Sequence, residues 1–208
     1  MADQVVAKVT GGSDADFEPH PEGPRIAICA DVIALGERVK EYTGKGTNNT
    51  HIRDMVQLVF VTGLRKANDA LHEVGPEFYI SMSDRAGLRK FLEQWRGRAY
   101  KDDELDAGVP LHKLAGQPAF ISVAHKKSKA GRTYAVVQSI MPVPKDMQLP
   151  PIQLSDYKRG AYWEERKAKY KAEVAQYRAS LAHAAPDEDF DGYSDGGSNA
   201  PPDDDLPF

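Results

Sequence analysis

Cysteine is almost absent from the sequence, since Cys29 is its single occurrence in 208 residues. One cysteine cannot form an internal disulfide, and no Cys/His pair has the spacing of a zinc finger. The six histidines are scattered along the chain and make no recognisable triad with Cys29. We therefore expect no disulfide scaffold, no metal or cofactor site and no catalytic residue.

Long hydrophobic runs are also missing. The longest run, from Met55 to Leu64, is interrupted by Gln57 and Thr62, and it has about half the roughly 20 residues that a membrane helix needs. The N-terminus has neither the basic start nor the apolar stretch of a secretory signal. These absences predict a cytoplasmic protein with no membrane partner.

Basic residues are absent from positions 186–208, which carry eight acidic residues. Residues 25–185 carry 26 basic and 18 acidic residues, a net charge of +8, although the whole chain has a formal net charge of −4. The acidic average therefore conceals a basic body. A basic body is suited to a polyanionic partner such as nucleic acid.

Composition divides the chain into four parts. The two ends have too little apolar content to offset the entropy lost on ordering, so we predict a flexible leader over 1–23 and a disordered tail over 186–208. Between them we predict one folded domain over 24–150, followed by a C-terminal helix within 151–185.

Apolar residues alternate with a period of two over most of the domain, which is typical of strands. The pattern predicts five strands, over about 26–35, 51–62, 78–82, 118–125 and 133–141. In the second strand, Val56, Leu58 and Phe60 form the predicted core face. In the third strand, we expect an inward face and an outward face, the former with Phe78, Ile80 and Met82 and the latter with Tyr79 and Ser81.

Helical spacing occurs in two places. Leu88, Leu92 and Trp95 recur at three and four residues, which predicts a helix over 84–97 that is capped by Ser83 and Asp84 and ends at Gly97. We expect the connector 63–76 to be partly helical and 101–116 to be a loop with one helical turn. A second helix is predicted over 157–182, where docking on the domain, formation of a homodimer and contact with DNA remain alternatives.

Three strands, a helix and two further strands follow the order of a five-stranded oligonucleotide/oligosaccharide-binding (OB) barrel, with the helix between strands 3 and 4. Other small β-barrels can share this order. In an OB fold, ligands cross the face of strands 2 and 3 between the loop that joins strands 1 and 2 and the loop that joins strands 4 and 5. Both loops are basic in this sequence.

Candidate DNA-binding residues lie in and between these two loops. Lys and Arg neutralise phosphates, and an exposed tyrosine offers a base a surface for stacking. The first loop, over 41–50, is predicted to act with its flanking Lys40, and a lone basic cluster such as the second is more often an ordinary solvated turn. The candidates are Lys40, Tyr42 and Lys45 at the first loop, Lys126, Lys127, Lys129 and Arg132 in the second, Arg53 and Tyr79 between them, and Tyr134, Arg96 and Arg98 elsewhere.

The string Trp95-Arg96-Gly97-Arg98-Ala99-Tyr100 is the most distinctive in the domain. Taken alone, it is typical of a core tryptophan with arginines at a helix C-terminus. Together with the preceding residues from Ser81, however, it resembles a block of bacteriophage single-stranded-DNA-binding proteins of OB fold. A looser likeness extends from Pro24 to Pro144. The resemblance implies single-stranded DNA as a partner and a place in replication or recombination in a bacterial cytoplasm.

The last six residues, Asp203-Asp204-Asp205-Leu206-Pro207-Phe208, resemble the tail tip of bacterial single-stranded-DNA-binding proteins. Leu206 stands where isoleucine is usual. A mobile peptide of this kind can place its Phe ring in an apolar pocket rimmed by basic residues, while its acids accelerate the encounter. The resemblance implies that these residues recruit replication or recombination proteins, and a merely solubilising tail is the alternative.

Catalytic interpretations have weaker support. Gly44-Lys45-Gly46-Thr47 lacks the earlier glycine of a phosphate loop. Asp102, Asp103, Glu104 and Asp106 offer carboxylates to a nuclease metal, but they lie in one short stretch without ligands from elsewhere. The sequence therefore predicts a non-catalytic single-stranded-DNA-binding protein, with an interaction adaptor and a metal-dependent nuclease as the alternatives.

Overall fold

The computed structural model describes residues 18–44, 47–149 and 151–184. Most of the described chain is β-structure, as predicted, with three α-helices and two short 3₁₀ turns, at Leu111–Leu114 and Leu154–Asp156. In chain order, the strands and α-helices are β1 (Gly23–Gly44), β2 (Thr47–Arg65), β3 (Leu71–Val74), β4 (Glu77–Tyr79), α1 (Gly87–Arg96), α2 (Asp102–Asp106), β5 (Pro118–Lys127), β6 (Thr133–Met141) and α3 (Tyr162–Ala184).

The six strands form one antiparallel sheet in the order β3-β2-β1-β5-β6, and β4 also pairs with β2. The sheet is not closed by hydrogen bonds between β3 and β6. Strand β1 is shared between its two neighbours because it pairs with β5 over 23–28 and with β2 over 28–44. Irregularities between Cys29 and Asp31 and between Ala34 and Gly36 bend this long strand, and bulges of this kind increase the local twist.

The prediction of a loop over 41–50 is wrong for most of these residues, because they lie in strands. Strands β1 and β2 continue as an antiparallel pair out to Gly44 and Thr47, and only residues 45 and 46 lie outside the described chain there. The prediction relied on polar composition, but the hydrogen bonds of a hairpin join backbone atoms and do not require apolar side chains. The two strands therefore project as one long hairpin.

The connector 63–76 contains strand β3 instead of the expected helical turns. Leu71, His72 and Val74 are buried, and Val74 and Leu71 pair with Phe60 and Arg65 of β2. The third predicted strand is correspondingly short, since β4 ends at Tyr79. Phe78 packs on the core as expected, whereas Ile80 is 48% exposed because it lies beyond the paired segment.

The main core lies between one face of the sheet and helix α1. Val56, Leu58 and Phe60 are buried there, which confirms the predicted core face of β2. Trp95 packs edge-on against Phe60 with ring centroids 5.1 Å apart, and its Nε1 donates to the carbonyl oxygen of Pro118 at 2.8 Å. Helix α1 thereby fixes the start of β5.

Helix α1 begins three residues later than predicted. Its N-cap is Ala86, which makes no side-chain cap, while Asp84 instead forms an ion pair with Arg89. The predicted end is confirmed, because Gly97 adopts a left-handed conformation with φ of 70°. The expected helical turn in 101–116 corresponds to α2 and to the 3₁₀ turn that follows it.

Helix α3 docks on the opposite face of the sheet, which confirms one of the three alternatives for the 157–182 segment. Trp163 and Tyr170 form a second buried cluster with residues of β1 and β2, namely Ile33, Leu35, Met55 and Val59. Both faces of β2 are therefore buried over 55–62, whereas the sequence predicts that only one face is buried. No described helix is long and apolar enough to cross a membrane.

Residues 18–22, in the segment predicted as a leader, lie against the sheet. His20 is buried, and its Nε2 lies 2.7 Å from Oγ1 of Thr62. The Glu22 carboxylate accepts a hydrogen bond from the backbone N–H of His125 at 2.7 Å. This segment therefore bridges β2 and β5 on its way into β1.

Candidate nucleic-acid interface

A groove of about 990 Å³ lies where β1, β2 and β4 meet the segment that leads into α1. We call it the basic groove, because its described lining includes four basic side chains and a single carboxylate, that of Glu77. The four are Arg38, Lys40, Arg53 and Arg85. Three of the candidate residues, Lys40, Arg53 and Tyr79, lie together in it.

The register of the hairpin places these basic side chains. Arg38 and Arg53 are direct partners across β1 and β2, and Lys40 follows Arg38 two residues later, on the same face of β1. Like charges directly opposite one another across two strands are destabilising. The pair therefore concentrates positive charge on this face of the hairpin.

Tyr79 supplies an aromatic surface within the groove. It pairs with Met55 of β2, and its ring is partly buried against the cluster below α3. The Lys40 ammonium lies over this ring, 4.8 Å from its centroid. An aromatic ring and a lysine are thus held side by side, which is the combination that suits a nucleotide's base and phosphate.

Glu77 is the acidic centre of the groove, and three side chains bind it. Arg38 Nη1 lies 2.9 Å from Oε1, Arg166 Nη2 lies 2.7 Å from Oε2, and the Tyr170 hydroxyl donates to both oxygens at 3.1 Å. Burial raises the pKa of this hydroxyl, which keeps it protonated as a donor. The Arg38 guanidinium also stacks 4.7 Å from the centroid of the Tyr170 ring.

Other carboxylates on this side of the sheet are held by α3 and the segment before it. Arg159 donates to Asp31 at 2.7 and 2.8 Å, and Arg178 donates to Glu37 at 3.0 Å. The Arg159 hydrogen bond is the main influence that lowers the pKa of Asp31 against the opposing effect of burial. Arg159 and Arg178 therefore neutralise these two carboxylates.

Arg96 and Arg98 lie at the far end of α1 from Arg85. Both guanidinium groups bind Glu104, with shortest distances of 2.6 and 2.9 Å, and Arg96 also stacks 4.1 Å from the centroid of Tyr100. These contacts hold the pKa of Glu104 at about 2. The distinctive Trp95–Tyr100 block thus fastens α2 to the end of α1, and the structure does not bring it to the basic groove.

The second predicted basic loop lies at the other end of β1 from the hairpin tip. Val123 pairs with Gly23, and β5 continues beyond that point to Lys126 and Lys127. We call residues 126–134, which comprise the end of β5, the start of β6 and the connection between them, the β5–β6 turn. The side chains of Lys126, Lys127, Lys129 and Arg132 are exposed there, and Tyr134 is 37% exposed. These residues form a second basic surface, apart from the groove.

Several candidates fall outside the described chain or its described side chains. Lys45 and the segment Asp203–Phe208 are outside it, and the side chain of Tyr42 is not described. Conversely, sequence reasoning missed Arg38, Arg85 and Glu77. The sequence predicts Lys40 beside a loop rather than in a strand; extending the strand alternation to residue 40 would have found Arg38, because residues 38 and 40 share a face of β1.

The described residues contain no group of three or more His, Cys, Asp or Glu side chains placed to hold a metal ion. Within the acidic stretch, Glu104 is bound by two arginines. Burial raises the pKa of the Cys29 thiol to about 12, so it is protonated at neutral pH.

Comparison with known proteins identifies no relative: no family model matches the chain, and no curated protein is detectably similar to it. The geometry of the groove is therefore the main guide to function.

Proposed function

We propose that this protein binds single-stranded DNA without sequence specificity, in the basic groove, and acts in DNA replication or recombination rather than as an enzyme. One observation carries the proposal: four basic side chains and Tyr79 line one groove. Basic side chains bind phosphates of any sequence, and every base has a face that can stack on an aromatic ring.

The apolar part of the groove favours single strands over duplex. Ile80 is 48% exposed at its edge, and Tyr79 and Met55 lie within it. Unpaired bases can cover such surfaces, whereas the bases of a duplex are already stacked on one another. A base that stacks on Tyr79 would displace Lys40 from the ring and bring its own phosphate close to the Lys40 ammonium.

The architecture supports an OB-type barrel as the finer description of the fold. The strand order agrees with that fold if β3 and β4 together form its third strand, and β3 and β6 approach each other where the barrel would close. OB folds are partly open barrels, and their ligands cross the face of strands 2 and 3. The basic groove lies on β2 and β4, which is that face.

The acidic residues that follow α3 give the proposal its second part. Asp203, Asp204, Asp205, Leu206, Pro207 and Phe208 would recruit replication or recombination proteins, as their resemblance to a bacterial tail tip implies. They would also limit binding of DNA at low salt by competing for the basic surfaces.

Anisotropy titration of labelled oligonucleotides tests the proposal. We expect a single-stranded 20-mer to bind more tightly than the matching duplex, with affinity that falls steeply as salt rises. Each phosphate contact releases counterions and contributes about 0.7 to the slope of log affinity against log salt concentration. An acidic protein of similar size serves as the control. Equal affinity for the two forms, or none for either, would contradict the proposal.

A further inference from the structure

Two side chains of helix α3, Arg166 and Tyr170, meet the Glu77 carboxylate of the basic groove. Glu77 is 12% exposed and is shared by two arginines, Arg38 of β1 and Arg166 of α3, with one arginine on each oxygen. Two positive charges and one negative charge meet there, so the group keeps a net charge of +1. Without Arg166, the Arg38–Glu77 pair would be neutral.

Geometry determines how firmly Arg38 is held. Its guanidinium gives Glu77 one hydrogen bond, from Nη1 to Oε1, although guanidinium carries five N–H donors. Arginine and carboxylate prefer two parallel hydrogen bonds when both oxygens are accessible. Arg166 lies 2.7 Å from Oε2 and the Tyr170 hydroxyl lies 3.1 Å from both oxygens, and in this shared arrangement Arg38 binds Glu77 through Oε1 alone.

The remaining donors of Arg38 lie at the groove. Its side chain is 41% exposed and lines the groove directly opposite Arg53, while Tyr170 supports the guanidinium from below at 4.7 Å. A planar cation that rests on an aromatic ring and has unused donors is well arranged to bind a phosphate.

We propose that Arg166 is a positioning residue for nucleic-acid binding: by sharing Glu77, it keeps Arg38 available to bind phosphate in the basic groove. Helix α3 thus strengthens the binding of DNA to the groove, although it does not contact the DNA. The inference rests on the proposed function and adds a role for the helix. A helix that merely covers the groove would have the opposite effect, because loosening it would tighten binding.

The test compares three variants of the full chain in titrations with single-stranded oligonucleotide over a salt series. Arg166→Gln should bind about five- to tenfold more weakly and lower the log–log salt slope by about 0.7, the contribution of one phosphate contact. Lys169→Gln removes the same charge from an exposed position of α3 and should change affinity less than about twofold. Circular dichroism verifies that each variant is folded.

The decisive variant is Glu77→Gln/Arg166→Gln. Without the carboxylate, nothing captures Arg38, so affinity and salt slope should return to within about twofold of the original values. If Arg166 only holds α3 in place, the double variant should bind even more weakly than Arg166→Gln, because Glu77→Gln removes further contacts between α3 and the sheet. Tighter binding by Arg166→Gln, an effect no larger than that of Lys169→Gln, or failure of the rescue would each overturn the inference.

The two proposals fail in different ways. If the unaltered chain does not bind single-stranded oligonucleotide at all, the proposed function is wrong and the inference is wrong with it. If the unaltered chain binds but Arg166→Gln behaves like Lys169→Gln, only the inference is wrong.

Discussion

Arg38 belongs to the β1–β2 hairpin and also contacts side chains of β4 and α3. It faces Arg53 across the hairpin, which is an unfavourable pairing, and it is stabilised by Glu77 and by the Tyr170 ring. The stabilising contacts come from β4 and α3, so the charge of the groove depends on residues far from it in the chain. A substitution on α3 can therefore act on the groove through Glu77.

Two buried histidines predict a pH dependence of stability. His20 and His72 lie with ring centroids 5.5 Å apart, and burial is the main cause that lowers the pKa of both. In the unfolded chain each takes up a proton near its ordinary value of about 6.5. As pH falls below that value, the unfolded state binds more protons than the folded state, so stability decreases until the folded pKa is reached.

Urea unfolding at pH 7.5 and 5.5 checks this prediction. The chain should lose up to about 1.4 kcal/mol per pH unit for each histidine within that interval. His20→Gln/His72→Gln should be less stable at pH 7.5 but should lose much less on acidification. His112→Gln, at an exposed position, is the control and should keep the full pH dependence. An unchanged dependence in the double variant would exclude these histidines as the cause.

At the scale of elements, the corner between β3 and β4 decides how the groove is closed on one side. The backbone N–H of Leu58 donates to the carbonyl oxygen of Pro76 at 3.1 Å, which draws the corner onto β2. A Cβ on Gly75 would lie 1.8 Å from the carbonyl oxygen of Leu58. Only glycine permits this approach.

Gly75→Ala should therefore destabilise the protein by more than about 2 kcal/mol, because backbone must move apart from backbone. Gly36→Ala is the matched control: it has φ of +77° but no atom within 4 Å of the added Cβ, so it should lose only about 1–2 kcal/mol. Urea unfolding at pH 7.5 measures both. If Gly75→Ala were as stable as the unaltered protein, or more stable, the corner would have to be able to move away from β2 without cost.

Strong local patterns made some elements predictable. Strand β6 has the predicted bounds, Thr133–Met141, and β5 exceeds its prediction by two residues, because alternating apolar side chains mark both. The polar end of the β1–β2 hairpin has no such pattern, so the sequence predicts a loop there. The contact between Arg166 and Glu77 joins residues 89 positions apart, and no local pattern encodes it.

The candidate site was predictable to a similar degree. Arg53 and Tyr79 could be found because strand alternation places them on the outward faces of their strands, and Lys40 because it flanks the predicted basic loop. The β5–β6 turn was expected to flank the same groove, but the register of β5 on β1 places it at the other end of that strand. Such placement depends on where a strand bends, and the register of β1 shifts twice, between Cys29 and Asp31 and between Ala34 and Gly36.

For the whole molecule, the division of charge is the main physical feature. Residues 25–185 carry a net charge of +8, while residues 186–208 carry eight acidic residues and no basic one. Within the body, Glu77 in the groove is bound by Arg38 and Arg166, and the other basic side chains of the groove leave its positive charge in excess. Attraction of a polyanion to this surface should weaken as salt screens it.

A salt-dependent titration of two double variants with single-stranded oligonucleotide tests the central claim most directly. Arg53→Gln/Arg85→Gln removes two charges from the basic groove, and Lys113→Gln/Lys145→Gln removes two from exposed positions elsewhere. The groove variant should lower the log–log salt slope by about 1.4, the contribution of two phosphate contacts, while the control keeps the original slope. Equal slopes for the two variants would contradict binding in the basic groove.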